Sequence, residues 1–474
     1  MTTISGIKTM RIHEKARRAL VALATAVLLA GVQACESLNS PNENFGDLDD
    51  LVENPTPGGV NSAIQGLMVG RRAEDAAAAN DVIGNLGLLG RESYTLDLAD
   101  PRFETEMLGG DLNAASAAFG GNHWGGPYAN IRLGDIALNA LDQLDPQLYS
   151  DAEKEWARGF IKTMNALDLL IVVLTRDTNC GCPIDVPEGA ENPAPAVGRD
   201  QVYQHVISLL DEGLAHLGNA SGGPPFRLTS GFAGFDDAAG FAQFNRAIRA
   251  RVAVYLDDWS GALAALGQSF LDTGASLDLG VYHVFTTIAG DITNGLFEAG
   301  TSPNLRAHPT FELDAELQGD GTTPDDRFVR KTRPIENRAY QGLCTDQSEF
   351  PSCTLGIAVY PTPTARVPII RNEELILLRA EANIGLGNLA QAEMDINLIR
   401  AESGNLPPAT LTSQSQALDQ LLYEKRYSLF FEGGHRWIDM RHYGRLDQLP
   451  TDLPAHSVAV RYPVPLEETS AGGG

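Results

Sequence analysis

Basic residues are scarce in this 474-residue chain. Its 35 lysines and arginines face 61 aspartates and glutamates, a formal net charge of −26. A surface this acidic has no basic stripe for nucleic acid. It is equally unsuited to docking on anionic lipid head groups. Apolar runs are scarce too. The one that stands out, Ala19 to Val32, is too short for a comfortable membrane span, and nothing later is long and apolar enough to cross a bilayer. Several catalytic signatures are missing: Gly-x-Ser-x-Gly, His-Glu-x-x-His and Gly-x-x-x-x-Gly-Lys-Ser/Thr. Cysteine is limited to five residues, with no Cys-x-x-Cys spacing, which argues against a structural zinc site.

The N-terminus carries an export signal. Lys8, Arg11, Lys15, Arg17 and Arg18 precede the apolar run, as in a signal peptide. The run ends Val32-Gln33-Ala34-Cys35, which resembles a lipobox, although Gln33 departs from the usual small or aliphatic residue. This predicts a lipoprotein signal peptide over 1–34, a lipid on Cys35 and a polar, proline-bearing tether over 35–58. Four cysteines then remain. An even number in an exported protein suggests disulfides. Cys344 and Cys353 flank a short loop and form the natural pair. Cys180 and Cys182 either close a tight ring or each cross-link elsewhere.

Hydrophobic residues make up 43% of the chain, enough for a real core. By length alone it could hold two or three domains. Helical periodicity recurs from Gly59, with strong segments at 152–174, 202–217, 241–256 and 261–271. Three more helices follow Ile369, the third from about Gln414 to Phe431. That last helix is apolar on several sides and is expected to be deeply buried. Trp259 with Ala262, and Leu389 with Ala392, place a small residue three after a large one just past a helix turn. This is the packing signature of tetratricopeptide repeats. Between 272 and 366 the periodicity fades into glycine, proline, threonine and short aromatic pieces. The reading is one mainly α domain over 59–474. A helical repeat scaffold (59–271 and 367–446) carries a loop-rich insertion (272–366) with short strands and an extended C-terminal segment (447–474).

Charges crowd the end of the scaffold. Glu432 and Arg436 are four apart, and Arg436 and Asp439 three apart. Both pairs can meet on one face if the helix runs through Gly433-Gly434. Glu424, Glu432, Asp439 and His435 could form an acid/base site. The favoured reading is a structural ion network of Glu424, Arg426, Glu432, Arg436 and Asp439, because a buried arginine needs a carboxylate partner. Asp320, Asp325 and Asp326 could hold calcium through oxygen ligands. They lack EF-hand spacing, so a solvated turn is the favoured reading and no cofactor is expected.

Three motifs occur in order: Arg371 to Asn383 with Asn397-Leu398-Ile399-Arg400; Glu424-Lys425-Arg426 followed by Phe431 to Arg441; and Tyr462 to Glu468. Together they resemble the SusD/RagB family of outer-membrane nutrient-uptake lipoproteins. Trp124 with Tyr128 and Ile131 is similar to the family's first repeat helix, and Asp326-Arg327 to a recurrent structural element. The resemblance implies a lipid-anchored protein on the outer-membrane surface. It would be no enzyme, and would capture an oligosaccharide or peptide for a SusC-like TonB-dependent transporter. It also implies a capture surface formed by the irregular segment after the early helices and by loops of the insertion. The matching regions supply Tyr94, Arg102 and Phe103, then Phe297, Arg306, His308 and Tyr340. Trp124 and Trp259 read as repeat packing. Two alternatives stay open: an exported glycan hydrolase, whose paired carboxylates need only meet in space, and a repeat scaffold that binds only protein.

Overall fold

The computed structural model describes residues 48–185, 195–340, 342–344 and 353–471. The signal peptide, Cys35 and most of the tether lie outside the described residues. The chain divides into two units at Asn54/Pro55. Within the first, Leu48–Glu53 is helical.

The second unit begins with α1 (Pro57–Ala76). Proline sits in its first turn, and the Thr56 side chain accepts from the Gly59 N–H. Then come α2 (Val82–Leu89), α3 (Gly125–Gln143), α4 (Asp151–Arg176), α5 (Arg199–Asn219), α6 (Ala238–Val254) and α7 (Trp259–Leu266). After the insertion the scaffold resumes with α10 (Asn372–Gly385), α11 (Leu389–Ile399), α12 (Gln414–Ser428) and α13 (His435–His442). Between these stand two short insertion helices, α8 (Thr310–Leu313) and α9 (Asp326–Lys331).

Helix α4 is the central post. A capping box of Ser150 and Glu153 starts it, and its inner turns are buried on nearly every side. Gly159 lets α5 come close: a Cβ there would lie 2.6 Å from Leu217. Asn245 of α6 ties the pair together, donating to Thr163 and to the Leu210 carbonyl. Each helix packs on its chain neighbour from α3 to α7, and α10 then packs on both α6 and α7. The two repeat-like sites, far apart in sequence, are therefore adjacent in space. Ala262 and Ala392 are fully buried, and the Trp259 ring lies so close to Gly385 that a Cβ there would meet it at 2.4 Å.

Among the described residues eight short strands complete the fold, and all their pairings are antiparallel. β1 (Ser93–Thr95), β5 (Leu305–Ala307), β7 (Leu355–Ile357) and β6 (Thr332–Pro334) form one sheet in that order. β4 (Gly280–His283) pairs with β8 (Val367–Arg371), and β2 (Cys182–Pro183) with β3 (Ala196–Val197). Disulfides join Cys344 to Cys353 and Cys180 to Cys182. The insertion shares a hydrophobic core with the scaffold. Phe311 stacks on Phe430 at 3.9 Å and on Tyr427 at 4.6 Å, so its apolar side is finished by the scaffold's last helices.

Candidate functional site

Of the seven residues nominated for capture, four gather around the β1–β5 ladder. Tyr94 lies opposite Arg306, its hydroxyl is 3.1 Å from His308, and Tyr340 donates to the Asp97 carbonyl. Arg102 pairs with Asp100 on the same loop. Burial corrects most of the nominations. Tyr94 is 2% exposed, and Arg306 and His308 are 0% exposed. Tyr340 and Phe103 are also buried, Phe103 edge-on to Phe119. Arg306 spends its guanidinium on the Glu336 and Cys353 carbonyls, bracing the insertion. His308 accepts the Thr310 N–H at Nδ1, which assigns the proton to Nε2, facing Asp452 at 2.9 Å. Burial, together with nearby Arg426 and Arg91, holds that imidazole far below its usual range, and burial pushes Asp452 up to about 6. Side chains without exposed surface cannot stack on a ligand. Only Arg102, exposed, and Phe297, half-buried, keep access to solvent.

The ion network forms with different partners. Helix α12 ends at Ser428, and Phe431 and Gly434 both take positive φ, so Glu432 and Arg436 never share a helical face. Glu432 instead accepts from Lys331 at 2.9 Å and Arg371 at 2.8 Å. Arg436 donates to the Gly90 carbonyl, and burial beside Arg426 lowers its pKa to about 9. Asp439 pairs with Lys425, which also meets Glu381. Glu424 lies between Arg327 and Arg400, and Arg426 reaches Asp314. Glu424, Glu432, Asp439 and His435 are thus dispersed among separate ion pairs rather than converging on one reactive point.

The three aspartates are dispersed as well. Asp320 accepts from the backbone N–H groups of Thr322 and Thr323. Asp325 caps α9 and binds Arg327. Asp326 accepts from Gln318. Among the described residues no three His, Cys, Asp or Glu side chains are placed to hold a metal.

A cleft of about 870 Å³ opens where the insertion meets the scaffold. Its walls come from the loop 273–278, β4, the end of α9, the loop 359–366, the turn after α11 and Glu432. At its base, Arg371 joins Glu373 and Glu432, and Lys331 joins Glu432. Burial opposes both carboxylates, but Arg371 and Lys331 more than offset it. Glu373 is held at about 2, and Glu432 below its ordinary range. The β4–β8 register shifts between Val281 and Tyr282, an irregularity that re-aims a side chain. The Tyr282 ring then carries the Arg366 guanidinium at 4.0 Å. Arg330 is held by the Ser403 carbonyl and hydroxyl. Arg366 and Arg330 are both exposed.

Residues 357–461 match the model of the SusD family. The fold is SusD-like. It agrees over most of the chain's length with solved SusD structures. A SusD superfamily protein from Bacteroides vulgatus superposes with a TM-score of 0.67 at 14% identity, covering 88% of this chain and 97% of that one. A SusD-like carbohydrate binding protein from Bacteroides fragilis gives 0.66 at 14% identity, covering 88% and 98%. A search of curated proteins finds no match.

The SusD-matching segment supplies one side of the cleft, including Tyr360, Arg366, Arg371, Glu373 and Glu432. The other side comes from residues 273–282 and 330–331, outside that segment. Sequence reasoning did not nominate this cleft, because its lining is scattered over about 160 positions and has no spacing that a motif could capture. The one signal available was Arg366 and Arg371 on either side of an apolar strand at the point where helical periodicity resumes.

Proposed function

We propose that this SusD-like protein captures an oligosaccharide or peptide at the outer-membrane surface and passes it, unmodified, to a SusC-like TonB-dependent transporter. The observation that carries this reading is an open cleft in a SusD-like fold whose buried carboxylates are committed to cations. A glycosidase needs one carboxyl that holds a proton for the leaving group. Glu373 and Glu432 are kept ionised by Arg371 and Lys331, so neither is suited to that role. The cleft volume falls within the range of small-molecule sites, roughly 300–1,000 Å³.

The test is calorimetric titration of the purified protein with panels of oligosaccharides and short peptides, with chromatography of the recovered ligand. Binding without fragments is expected. Thr362→Trp, on the exposed lip of the cleft, should weaken binding at least tenfold and leave thermal unfolding unchanged. Intact binding in that variant would move the site elsewhere, and fragment release would favour the hydrolase.

The membrane anchor is proposed to be a lipid on Cys35. Among the described residues no helix is long and apolar enough to cross a membrane. Cys35→Ser should leave the protein unprocessed or free of the membrane fraction. Wild-type membrane recovery without lipid on the mature N-terminus would overturn this assignment.

A further inference from the structure

The cleft has a chemistry of its own, distinct from the chain around it. We infer that it takes an acidic saccharide, one whose carboxylate is received by Arg366 and Arg330; the inference rests on the capture reading above. The chain as a whole carries a net charge of −26. Elsewhere on such a surface an anionic ligand meets repulsion. The cleft is different. Its lining holds Arg330, Lys331, Arg366 and Arg371 against Asp278, Glu373, Glu402 and Glu432, so four cations balance four carboxylates.

That balance is divided between buried and exposed groups. Lys331 and Arg371 are buried and spend their charge on Glu373 and Glu432. Asp278 lies 3.9 Å from the same Arg371. The exposed charges left over are Arg330 and Arg366, facing the exposed acids Asp278 and Glu402, and neither arginine makes an ion pair among the described residues.

Both arginines are already positioned. Stacking on Tyr282 fixes the plane of Arg366, and Tyr282 is itself anchored by its hydroxyl to the Asp278 carbonyl. Two hydrogen bonds to Ser403 fix Arg330. Arg366, its plane fixed by the ring, is suited to receive a carboxylate through two parallel bonds, and Arg330, whose Nη1 and Nη2 each donate to Ser403, adds its remaining N–H groups. Little rotamer entropy remains to be lost on binding.

The rest of the wall favours a sugar over a peptide. Its exposed side chains include the hydroxyls of Thr273, Ser276 and Thr362, while the apolar Leu277, Leu398 and Val359 are half-buried. Hydroxyls suit a polyhydroxylated ring. An extended peptide needs recesses for alternate side chains.

The experiment titrates the purified protein with galacturonate and glucuronate oligomers, with the same oligomers after reduction of their carboxyl groups, and with acidic peptides of similar length. The uronates are expected to bind, and the reduced oligomers to bind at least tenfold more weakly. Arg366→Gln and Arg330→Gln should each weaken uronate binding about tenfold, the loss of one charge-assisted hydrogen bond. Raising the salt to 0.5 M should weaken wild-type binding and narrow its gap to the variants. Both residues are exposed, so melting temperatures should not move. Equal affinity for the reduced oligomers, or full uronate affinity in both variants, would overturn the inference while leaving capture standing. Selective binding of the acidic peptides would overturn it in favour of a peptide ligand. If no saccharide or peptide in any panel binds, capture fails as well.

Discussion

Lys425→Met is expected to destabilise the fold by about 3–5 kcal/mol, because it removes the cation hydrogen-bonded to the buried carboxylates of Glu381 and Asp439. The ammonium lies 2.9 Å from Glu381 and 2.6 Å from Asp439, and all three side chains are nearly inaccessible to solvent. Burial works against the ammonium, yet Asp439 and Glu381 more than offset it, so the lysine pKa is raised. Burial pushes the Asp439 carboxyl upward, against the pull of Lys425, and Glu381 adds repulsion. The directions are compatible: one cation facing two anions favours its own charge and only partly satisfies theirs. Without Lys425 the two carboxylates face each other with no cation between them, and the Asp439 carboxyl, already raised, rises further above its unfolded value. An acid raised in the folded state binds more protons there than in the unfolded chain. The deficit is therefore full above the folded pKa and shrinks as pH falls toward about 4, the unfolded value. Denaturant melts of the variant at pH 5 and pH 8 should show the larger loss at pH 8. Adding Glu381→Gln and Asp439→Asn should recover most of the stability. A loss below about 1 kcal/mol, or one independent of pH, would mean that the triad does not hold the helices together.

Gly434→Ala is expected to cost about 2–5 kcal/mol, from two additive causes. Gly434 has φ of +71°, a conformation that costs an L-residue about 1–2 kcal/mol. A Cβ at that position would also lie 2.2 Å from the Leu86 Cβ, a fully buried side chain of α2. Overpacking of that kind costs about 1–3 kcal/mol. Gly444→Ala separates the two causes. Gly444 has φ of +65° with nothing within 4 Å of its would-be Cβ, so only the backbone penalty applies. Urea midpoints of both variants, read with a common slope, should differ clearly. Equal losses would mean that α2 yields to the added methyl and that the close approach is not a constraint.

The helical scaffold was legible because its signals are local. Apolar spacings act within a turn or two of chain. They gave α4, α5 and α6 to within a few residues, and the small-residue pattern gave the packing of Ala262 and Ala392. The motifs from Arg371 onward gave the SusD-like character of the C-terminal region. The structure buries most of the residues nominated for capture. The sequence shows that Tyr94, Arg306 and His308 have the right chemistry, but not that β1 pairs with β5 and turns all three inward.

The ion network shows the same division. The sequence by itself determined that charges as dense as Glu424, Lys425, Arg426, Glu432 and Arg436, set among apolar residues, would have to be neutralised inside the fold, since an unpaired buried ion is costly wherever it falls. The tertiary structure alone decided the partners. Positive φ at Phe431 and Gly434 breaks the helix between Glu432 and Arg436, and it turns Glu432 toward Lys331 and Arg371, 101 and 61 positions away. The cleft belongs to the same category. Its cations come from the end of α9 and from both ends of β8, and only the packing of the insertion on the scaffold brings them together. Composition and periodicity are properties of neighbouring residues and survive in the linear chain. A binding surface depends on which distant segments close on one another, and that is settled by the burial of the whole core.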